Sequence, residues 1–334
     1  MSERQQPGPC PDARPFAGSG RWALILGGSS GFGLASALRL ARAGLNVWVG
    51  HKDARGAMGP VEEAFARIRA EGVELETHNG DLLDEDERGE LLERVEERVP
   101  PGSLHLLLHS LAAGSTRSLV RPPADRPDPR ARALEGLRAA LEAQGVALGA
   151  EQLERAVDQA FHVGRCDALY TLARSRIPAR EELLSEGDLA RTLFAMGYDA
   201  MLWARELLSS GRFAPGGRVI GLTSQGSSIA WHGYAAVSAA KSVLESASRS
   251  MALELGPHGL RSMVVQAGIT DTPAGNAIPN FDLLKAEARL RSPSGRLTTP
   301  EDVAEAICAL CQPGFDWANG ALFRIDGGEA VVGS

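Results

Sequence analysis

The chain has 334 residues, enough for one large domain or two small ones with a sizeable buried core. Hydrophobic residues make up 44% of it and charged residues 23%, close to the averages of globular proteins, so a disordered, collagen-like or coiled-coil chain is excluded. The net charge of -7 and the lack of a basic cluster argue against a surface for nucleic acid or an anionic membrane, and favour a small-molecule partner.

The opening segment, residues 1–20, is polar and rich in proline and lacks the apolar run of a secretory signal. We therefore expect a disordered tail. No stretch approaches the roughly 20 apolar residues of a membrane span. The 4 cysteines are too few for a disulfide scaffold and suit a reducing compartment, so the expected location is cytoplasmic.

From residue 21 onward, apolar runs alternate with amphipathic stretches, a pattern that predicts an α/β fold with a doubly wound parallel sheet of the Rossmann type. Seven strands are predicted, at 22–26, 45–50, 73–78, 104–109, 217–223, 261–267 and 321–326. Helical periodicity is clearest at 31–43, 61–71, 85–98, 190–209, 237–255 and 300–311. Seven strands in one sheet make a single domain, 21–334.

One long segment, 115–188, interrupts this alternation after the fourth strand. It far exceeds the roughly 2 to 6 residues of an ordinary connection between a strand and a helix. After a proline-rich stretch at 121–130, apolar residues recur at helical spacing: Leu134, Leu137 and Leu141, then Leu153, Val157 and Phe161. We interpret the segment as an inserted helical subdomain. A structural elaboration is the favoured role, and a substrate lid or a docking surface for a carrier protein is the alternative.

A glycine-rich turn follows the first strand and opens a helix, with Gly27, Gly31 and Gly33 in a G-x-x-x-G-x-G spacing. Such a turn lets the backbone approach a pyrophosphate and seats it at the positive end of the helix. An ordinary turn is the alternative, but the strand before and the helix after favour dinucleotide binding. The residues predicted to bind are Gly27, Ser29, Ser30, Gly31, Phe32 and Gly33.

The second strand ends in His51 and Lys52, followed by Asp53. An acid at the strand end would accept hydrogen bonds from the adenosine ribose, whereas basic side chains complement a 2′-phosphate. Because the basic residues come first, NADPH is favoured over NADH as the cofactor. A solvated surface lysine remains the alternative for Lys52.

Two further strand ends supply candidates for the cofactor site. Asp81 and Leu82 follow the third strand and could hold the adenine edge. His109, Ser110 and Leu111 follow the fourth, where a cofactor wall is expected. His109 has an equal alternative as a histidine satisfied within the fold.

A serine, a tyrosine and a lysine follow the fifth strand. Tyr234 stands ten residues after Ser224, and Lys241 seven residues after Tyr234. Seven residues turn a helix by about 700°, so both side chains face the same way, about 10.5 Å apart along the axis. The chain has only 3 tyrosines, and its lysines are equally rare, so a chance pair is improbable. The alternative is a tyrosine packed on a helix and a surface lysine.

The glycine turn and this Tyr/Lys pair resemble the short-chain dehydrogenase/reductase superfamily. The commonest motif of the superfamily is Tyr-x-x-x-Lys, but this sequence has Ser238 at the lysine position. The longer spacing found here, Tyr-x6-Lys, resembles instead the divergent branch of enoyl-acyl-carrier-protein reductases. The segment 109–111 resembles that branch's His-Ser-Ile, and 292–304 and 319–330 resemble its carboxyl-terminal portion. The resemblance covers essentially everything except the tail and the insertion.

The resemblance implies hydride transfer from NAD(P)H to the β carbon of an enoyl thioester, carried by coenzyme A or acyl carrier protein, in fatty-acid or polyketide synthesis. Tyr234 would hydrogen-bond the thioester oxygen as it becomes an enolate. Lys241 would hold the nicotinamide ribose, and its charge would lower the pKa of the tyrosine. A stretch resembling the superfamily's Pro-Gly-x-x-x-Thr would approach the carboxamide and pyrophosphate through Gly268, Ile269, Thr270 and Thr272.

Two positions depart from the pattern of this branch. Ser224 stands where enoyl reductases have a second tyrosine. The segment 223–226 nevertheless resembles the Thr/Ser-Ser-x-Gly of an NADPH-dependent subgroup. We therefore predict that Ser224 is catalytic together with Tyr234 and Lys241. Met196 replaces the superfamily's catalytic asparagine. Ser224 could also hold a ketone oxygen, so reduction of a 3-ketoacyl group or another ketone is the first alternative. A nucleotide-sensing scaffold without turnover is the second, against which Tyr234 and Lys241 argue.

The remaining signals predict packing and assembly. Cys308 and Cys311 have thioredoxin-like spacing but lie in an amphipathic helix, so core packing is predicted. The histidines show no ligand spacing, and no metal is predicted. The helices at 190–209 and 237–255 could pair across a dimer axis as they do in the superfamily, giving a homotetramer or dimer.

Overall fold

The computed structural model describes residues 14–121, 123, 128–174 and 182–333. Seven strands form one sheet: β1 (Trp22–Leu26), β2 (Asn46–His51), β3 (Leu75–Asn79), β4 (Leu104–His109), β5 (Phe213–Ser224), β6 (Arg261–Ala267) and β7 (Leu322–Ile325). Their order is β3-β2-β1-β4-β5-β6-β7, and every neighbouring pair is parallel. The predicted seven-stranded doubly wound sheet is confirmed. Its strand order reverses between β1 and β4, so a ligand crevice is expected at their carboxyl ends.

Helices lie on both faces of the sheet and in the long connection after β4. They are α1 (Gly31–Arg42), α2 (Met58–Arg69), α3 (Glu85–Arg98), α4 (Pro129–Ala143), α5 (Ala150–His162), α6 (Glu186–Leu193), α7 (Asp199–Ser209), α8 (Ala235–Leu255), α9 (Pro273–Asn276), α10 (Phe281–Arg291) and α11 (Pro300–Leu310). No helix within the described ranges is long and apolar enough to cross a membrane.

The helix predicted at 190–209 is divided by a π-helical turn, Phe194–Tyr198. At this turn Gly197 lies against α8, where an added Cβ would stand 3.0 Å from Val243 Cγ1. The wider turn therefore accompanies a close approach of two helices that a simple α-helical period does not predict. The turn also places Met196 in the wall of the cavity described below.

The two faces of the sheet carry separate apolar layers, because side chains alternate along each strand. Ile25 of β1 packs with Phe65 of α2 and Ile307 of α11 in one layer. Leu24 of β1 packs with Trp203 of α7 in the other. The first layer also contains the fully buried Cys308 and Cys311, so the prediction of core packing for these two cysteines is confirmed.

The expected disordered tail is wrong for residues 14–20, and residues 1–13 lie outside the described residues. Phe16 is only 4% exposed and packs against His105 with ring centroids 5.2 Å apart. Its backbone N–H donates to the Ala43 carbonyl at 2.9 Å. The buried phenylalanine removes a large apolar area from water and, with this hydrogen bond, holds the polar stretch on the domain.

The segment 115–188 contains α4 and α5, which pack on each other around a small cluster that includes Leu134, Leu153 and Val157. Leu137, predicted on the same face as Leu134, is instead exposed. Residues 122 and 124–127 of the proline-rich stretch at 121–130 lie outside the described residues.

Candidate active site

A cavity of about 240 Å³ lies at the carboxyl ends of the central strands, next to the point where the strand order reverses. It brings together most of the residues predicted from the sequence. Those that line it are Gly27, Ser30, Gly31, Phe32, Ser110, Leu111, Ser224, Tyr234, Lys241, Gly268, Ile269, Thr270 and Thr272. Ser29, Gly33, His51, Lys52, Asp81, Leu82 and His109 are not among the residues that line it.

The glycine turn has the geometry that a pyrophosphate site requires. Gly27 has φ +87°, and a Cβ there would stand 2.7 Å from the Ser110 carbonyl oxygen. A Cβ on Gly33 would stand 2.1 Å from the carbonyl oxygen of Gly27, so this glycine lets the helix pack against the turn. Ser30, at the start of α1, makes no side-chain cap and the first turn contains no acid, which leaves the helix N-terminus free of competing negative charge. These residues fit the pyrophosphate of a dinucleotide cofactor.

Lys241 is buried on the second turn of α8, where its Nζ donates to the Leu222 carbonyl oxygen at 2.7 Å. Burial lowers its pKa to about 8, and the nearby Glu245 carboxylate opposes part of that shift. Glu245 in turn accepts a hydrogen bond from the Thr223 hydroxyl at 2.7 Å. The fifth strand and α8 thus fix the lysine through backbone contact rather than through the tyrosine.

Tyr234 stands immediately before α8, with its ring edge-on to Trp231 and its side chain buried. Burial raises the pKa of the phenol, and the neighbouring Ser224 hydroxyl opposes that rise in part. The expected lowering of this pKa by Lys241 is therefore wrong: desolvation is the dominant influence. The phenol remains protonated at neutral pH and can act as a hydrogen-bond donor.

His109 is satisfied inside the fold and does not line the cavity. It is 2% exposed, and its Nε2 lies 3.1 Å from Oδ2 of the fully buried Asp199. Nη1 of Arg88 stands 3.7 Å from the other carboxylate oxygen. Of the two alternatives for His109, the structure favours the satisfied histidine over the cofactor wall.

The basic residues after β2 point in different directions. His51 is 2% exposed, with its Nδ1 2.8 Å from Oδ2 of Asp53 and its ring edge-on to Phe65. The prediction that it complements a 2′-phosphate is therefore wrong, because its ring belongs to the core. Lys52 is 66% exposed and donates to Oδ2 of Asp81 at 2.6 Å, which lowers the pKa of that carboxyl.

Asp81 and Lys52, which follow the carboxyl ends of β3 and β2, are thus bonded to each other and lie outside the cavity lining. Leu82 contributes its side chain to the apolar layer with Leu91, so only its backbone could face a ligand. Ser29 is half-buried in the glycine turn.

Sequence reasoning missed a mostly apolar part of the cavity lining, which includes Trp231, Ile278, Phe281 and Leu284. Gln225, which directly follows Ser224, also lines the cavity and was missed. The i, i+3 spacing of Phe281 and Leu284 was an available signal for α10. A buried carboxylate behind Ile269 was also missed: Glu329 accepts the Ile269 N–H at 3.0 Å, and burial raises its pKa.

Comparison with known proteins supports the same assignment of fold and family. Residues 125–329 match a family model described as enoyl-(acyl carrier protein) reductase, and residues 21–121 match one described as short chain dehydrogenase. A solved short chain dehydrogenase from Burkholderia cenocepacia in complex with NADP superposes with a TM-score of 0.65 at 20% identity, over 95% of this chain and 99% of that one. A short-chain dehydrogenase/reductase from Serratia marcescens gives 0.66 at 19% identity, over 95% and 100%. These likenesses show the fold.

Three curated relatives have different names. The NADH-dependent enoyl-[acyl-carrier-protein] reductase of Escherichia coli is 31% identical over 35% of this chain and 45% of that protein. The 1-cyclohexenylcarbonyl-CoA reductase of Streptomyces collinus is 30% identical over 35% of this chain and 42% of that protein. The L-xylulose reductase of Bos taurus is 30% identical over 40% of this chain and 56% of that protein. The chain spans about half the length of the curated relatives it matches. Because the first model covers most of the chain, the protein belongs to the short-chain dehydrogenase/reductase superfamily of oxidoreductases, in its enoyl-(acyl carrier protein) reductase-like branch.

Proposed function

We propose that this protein is an NADPH-dependent reductase of trans-2-enoyl thioesters, carried by coenzyme A or acyl carrier protein. One observation carries the proposal: a buried, protonated Tyr234 stands in a largely apolar cavity, seven residues before a buried Lys241. A neutral phenol donates a hydrogen bond without holding charge in the ground state. The enoyl-reductase relatives and the matched family model support this reading.

When bound, the nicotinamide cofactor supplies the hydride. The glycine turn and the start of α1 would hold its pyrophosphate, and Lys241 its nicotinamide ribose. Asp81 would lie at the adenosine end. The preference for NADPH depends on Lys52 alone, since His51 is buried. The Lys52 ammonium is exposed and paired with Asp81.

Tyr234 would donate its hydroxyl proton in a hydrogen bond to the thioester oxygen as negative charge develops there. Such an interaction is strongest in a cavity that excludes water, because the dielectric constant is low. Lys241, with a pKa of about 8, is mostly protonated at neutral pH, so its charge also favours the developing enolate. Met196 and Trp231 contribute the apolar surface that keeps water away.

Reduction of a ketone is a second candidate, favoured by one contact. The hydroxyl of Ser224 is buried close enough to Tyr234 to influence its pKa. Two adjacent hydroxyl groups could hold a carbonyl oxygen between them. The L-xylulose reductase relative is consistent with this alternative.

One assay separates these candidates: the purified protein with NADPH, first with crotonyl-CoA and then with acetoacetyl-CoA. We expect NADPH oxidation with crotonyl-CoA. Oxidation with acetoacetyl-CoA alone would establish the ketone reductase, and oxidation with neither would favour a nucleotide-sensing scaffold.

Substitution of the tyrosine tests the mechanism. Tyr234→Phe should lower kcat by about 100-fold or more while NADPH affinity changes little, because the lost donor acts on charge formed during reaction. Tyr198→Phe is the matched control, since Tyr198 is exposed on the π-helical turn. An unchanged kcat in Tyr234→Phe would rule out the proposed role.

We also infer a homo-oligomer that pairs through the outer faces of α7 and α8. Leu253 near the end of α8 is exposed, as an interface residue would be in an isolated chain. Light scattering of the purified protein should give a mass at least twice that of one chain.

A further inference from the structure

Gln225 lies at the substrate side of the cavity with both ends of its amide unpaired. The residue is 5% exposed and lines the cavity. Neither its Oε1 nor its Nε2 has a hydrogen-bond partner, and no other side-chain amide in the described part of the chain is buried in this way. A buried amide without partners is unfavourable, because it has lost its hydrogen bonds to water.

The backbone of Gln225 is fixed next to the catalytic tyrosine. Its carbonyl oxygen accepts hydrogen bonds from the N–H groups of Ser228 and Ile229, both at 2.9 Å. The next residue, Gly226, packs so tightly on Tyr234 that an added Cβ would stand 2.4 Å from Cε1 of the ring. The side chain therefore starts from a rigid position close to where the reacting carbons would lie.

None of the residues that line the cavity is a hydrogen-bond partner of the amide. Met196 and Ile278 in this lining are apolar, and the Thr116 hydroxyl donates instead to the Ala277 carbonyl oxygen at 3.4 Å. An amide that keeps both a donor and an acceptor free matches a ligand group that both accepts and donates, and a hydroxyl is the smallest such group.

We propose that Gln225 is a specificity-determining residue whose amide binds a hydroxyl group on the acyl chain, next to the double bond that is reduced. The substrate class is then a hydroxylated 2-enoyl thioester rather than a plain hydrocarbon one. This inference rests on the proposed enoyl-thioester reductase function. An acyl chain without a hydroxyl leaves the Gln225 amide unpaired in the complex, whereas a hydroxylated acyl chain forms hydrogen bonds with it. Sites of this kind discriminate strongly against an analogue that lacks the hydroxyl.

The test compares two substrates that differ in one hydroxyl, trans-2-hexenoyl-CoA and 4-hydroxy-trans-2-hexenoyl-CoA, with NADPH and the full-length protein. We expect kcat/KM to be at least about 10-fold higher for the hydroxylated substrate. Gln225→Leu should reduce this ratio towards one, with a higher kcat/KM for the plain substrate. Gln159→Leu, on an exposed position of α5, is the control and should leave the ratio unchanged.

The substrate ratio separates recognition from a structural role, because a general disturbance of the site lowers both values together. Equal kcat/KM values for the two substrates in the wild-type protein would overturn the inference and leave the proposed function standing. Lack of turnover with both enoyl substrates would overturn both. If Gln225→Leu does not fold, the wild-type ratio together with Gln225→Met decides the question.

Discussion

The sheet and the insertion at 115–188 are held together by different interactions. The sheet packs large side chains such as Leu24 and Trp203, fully buried, in continuous layers on both faces. The described residues of the insertion form small clusters, one around Leu153 and one around Phe161, together with one ion pair within the insertion and another to α10. Regions with few buried contacts open more easily than the core around them. The comparison indicates that the more rigid part of the molecule carries the glycine turn and Lys241, and that the insertion is the looser part.

The insertion reaches the cavity through α10. Asp167 accepts two hydrogen bonds from Arg289 of α10, at 2.6 and 2.7 Å. Beside this pair, Phe161 packs in one cluster with Ala286 of α10. The same helix places Phe281 and Leu284 in the cavity wall. This arrangement favours the lid over the docking surface among the roles predicted for the insertion.

The largest effect is expected from a substitution in the sheet layers. Trp203→Ala should lower the free energy of unfolding by about 3 to 5 kcal/mol, because a fully buried indole leaves a large cavity. Urea denaturation followed by circular dichroism measures it. Trp317→Ala is the control, since this tryptophan is 96% exposed and should matter little. A loss below about 1 kcal/mol in Trp203→Ala would contradict the account of a continuous core.

A smaller and local effect is expected inside the insertion. Leu153→Ala should cost about 2 kcal/mol, but mainly in the stability of α4 and α5, whose cluster is separate from the sheet layers. Limited proteolysis should then cut the insertion faster while the main urea transition moves little. Leu137→Ala, at an exposed position of α4, should leave the cleavage rate unchanged. Equal shifts of both measurements would mean that insertion and sheet unfold as one unit.

Much of the sheet could be predicted because local pattern determines it. The bounds predicted for β1, β4 and β6 agree residue for residue with those observed, since each strand is centred on a run of apolar residues. By contrast, α10 packs against a distant segment: the buried Ala286 shares a cluster with Phe161 and Ala173 of the insertion. Sequence periodicity in a short window carries no information about such a partner.

The candidate site likewise contains residues that local sequence spacing identifies and residues that depend on distant contacts. The glycine turn and the Tyr234/Lys241 pair have fixed spacings, and a spacing can be recognised in a sequence. The sequence does not decide between the two alternatives for His109, because its partner, Asp199, is far away in the chain and no local pattern indicates it. The prediction that His51 binds a 2′-phosphate is wrong because its ring packs against Phe65 in the apolar layer. The pKa of Tyr234 depends on burial, which the sequence does not show.

The link between insertion and cavity can be tested at its ion pair. Asp167→Asn should weaken the contact with Arg289 by about 1 kcal/mol, because both side chains are partly exposed. If the insertion holds α10 over the cavity, KM for the enoyl substrate should rise severalfold while NADPH affinity stays the same. Glu305→Gln removes a comparable ion pair with Arg39 on the sheet side and should change neither value. An unchanged KM in Asp167→Asn would favour a purely structural insertion.

The smallest effect is expected at the start of α11, on the side of the rigid core. Arg296 lowers the pKa of Asp302 from 3.8 to about 2, with further help from hydrogen bonds at Thr299. A lowered carboxyl pKa stabilises the fold fully above about pH 3.8 and loses that contribution as the pH falls towards 2.

Asp302→Asn should therefore cost only about 0.5 kcal/mol at pH 7, because Arg296 is more than half exposed to solvent and the pair is screened. Urea denaturation of wild type and variant between pH 7 and pH 2 measures the difference. It should shrink as the wild-type carboxylate becomes protonated, because asparagine can still accept the Thr299 and backbone hydrogen bonds but lacks the charge. A difference that stays constant down to pH 2 would contradict this account, because a contribution from the carboxylate charge must decrease as that group is protonated.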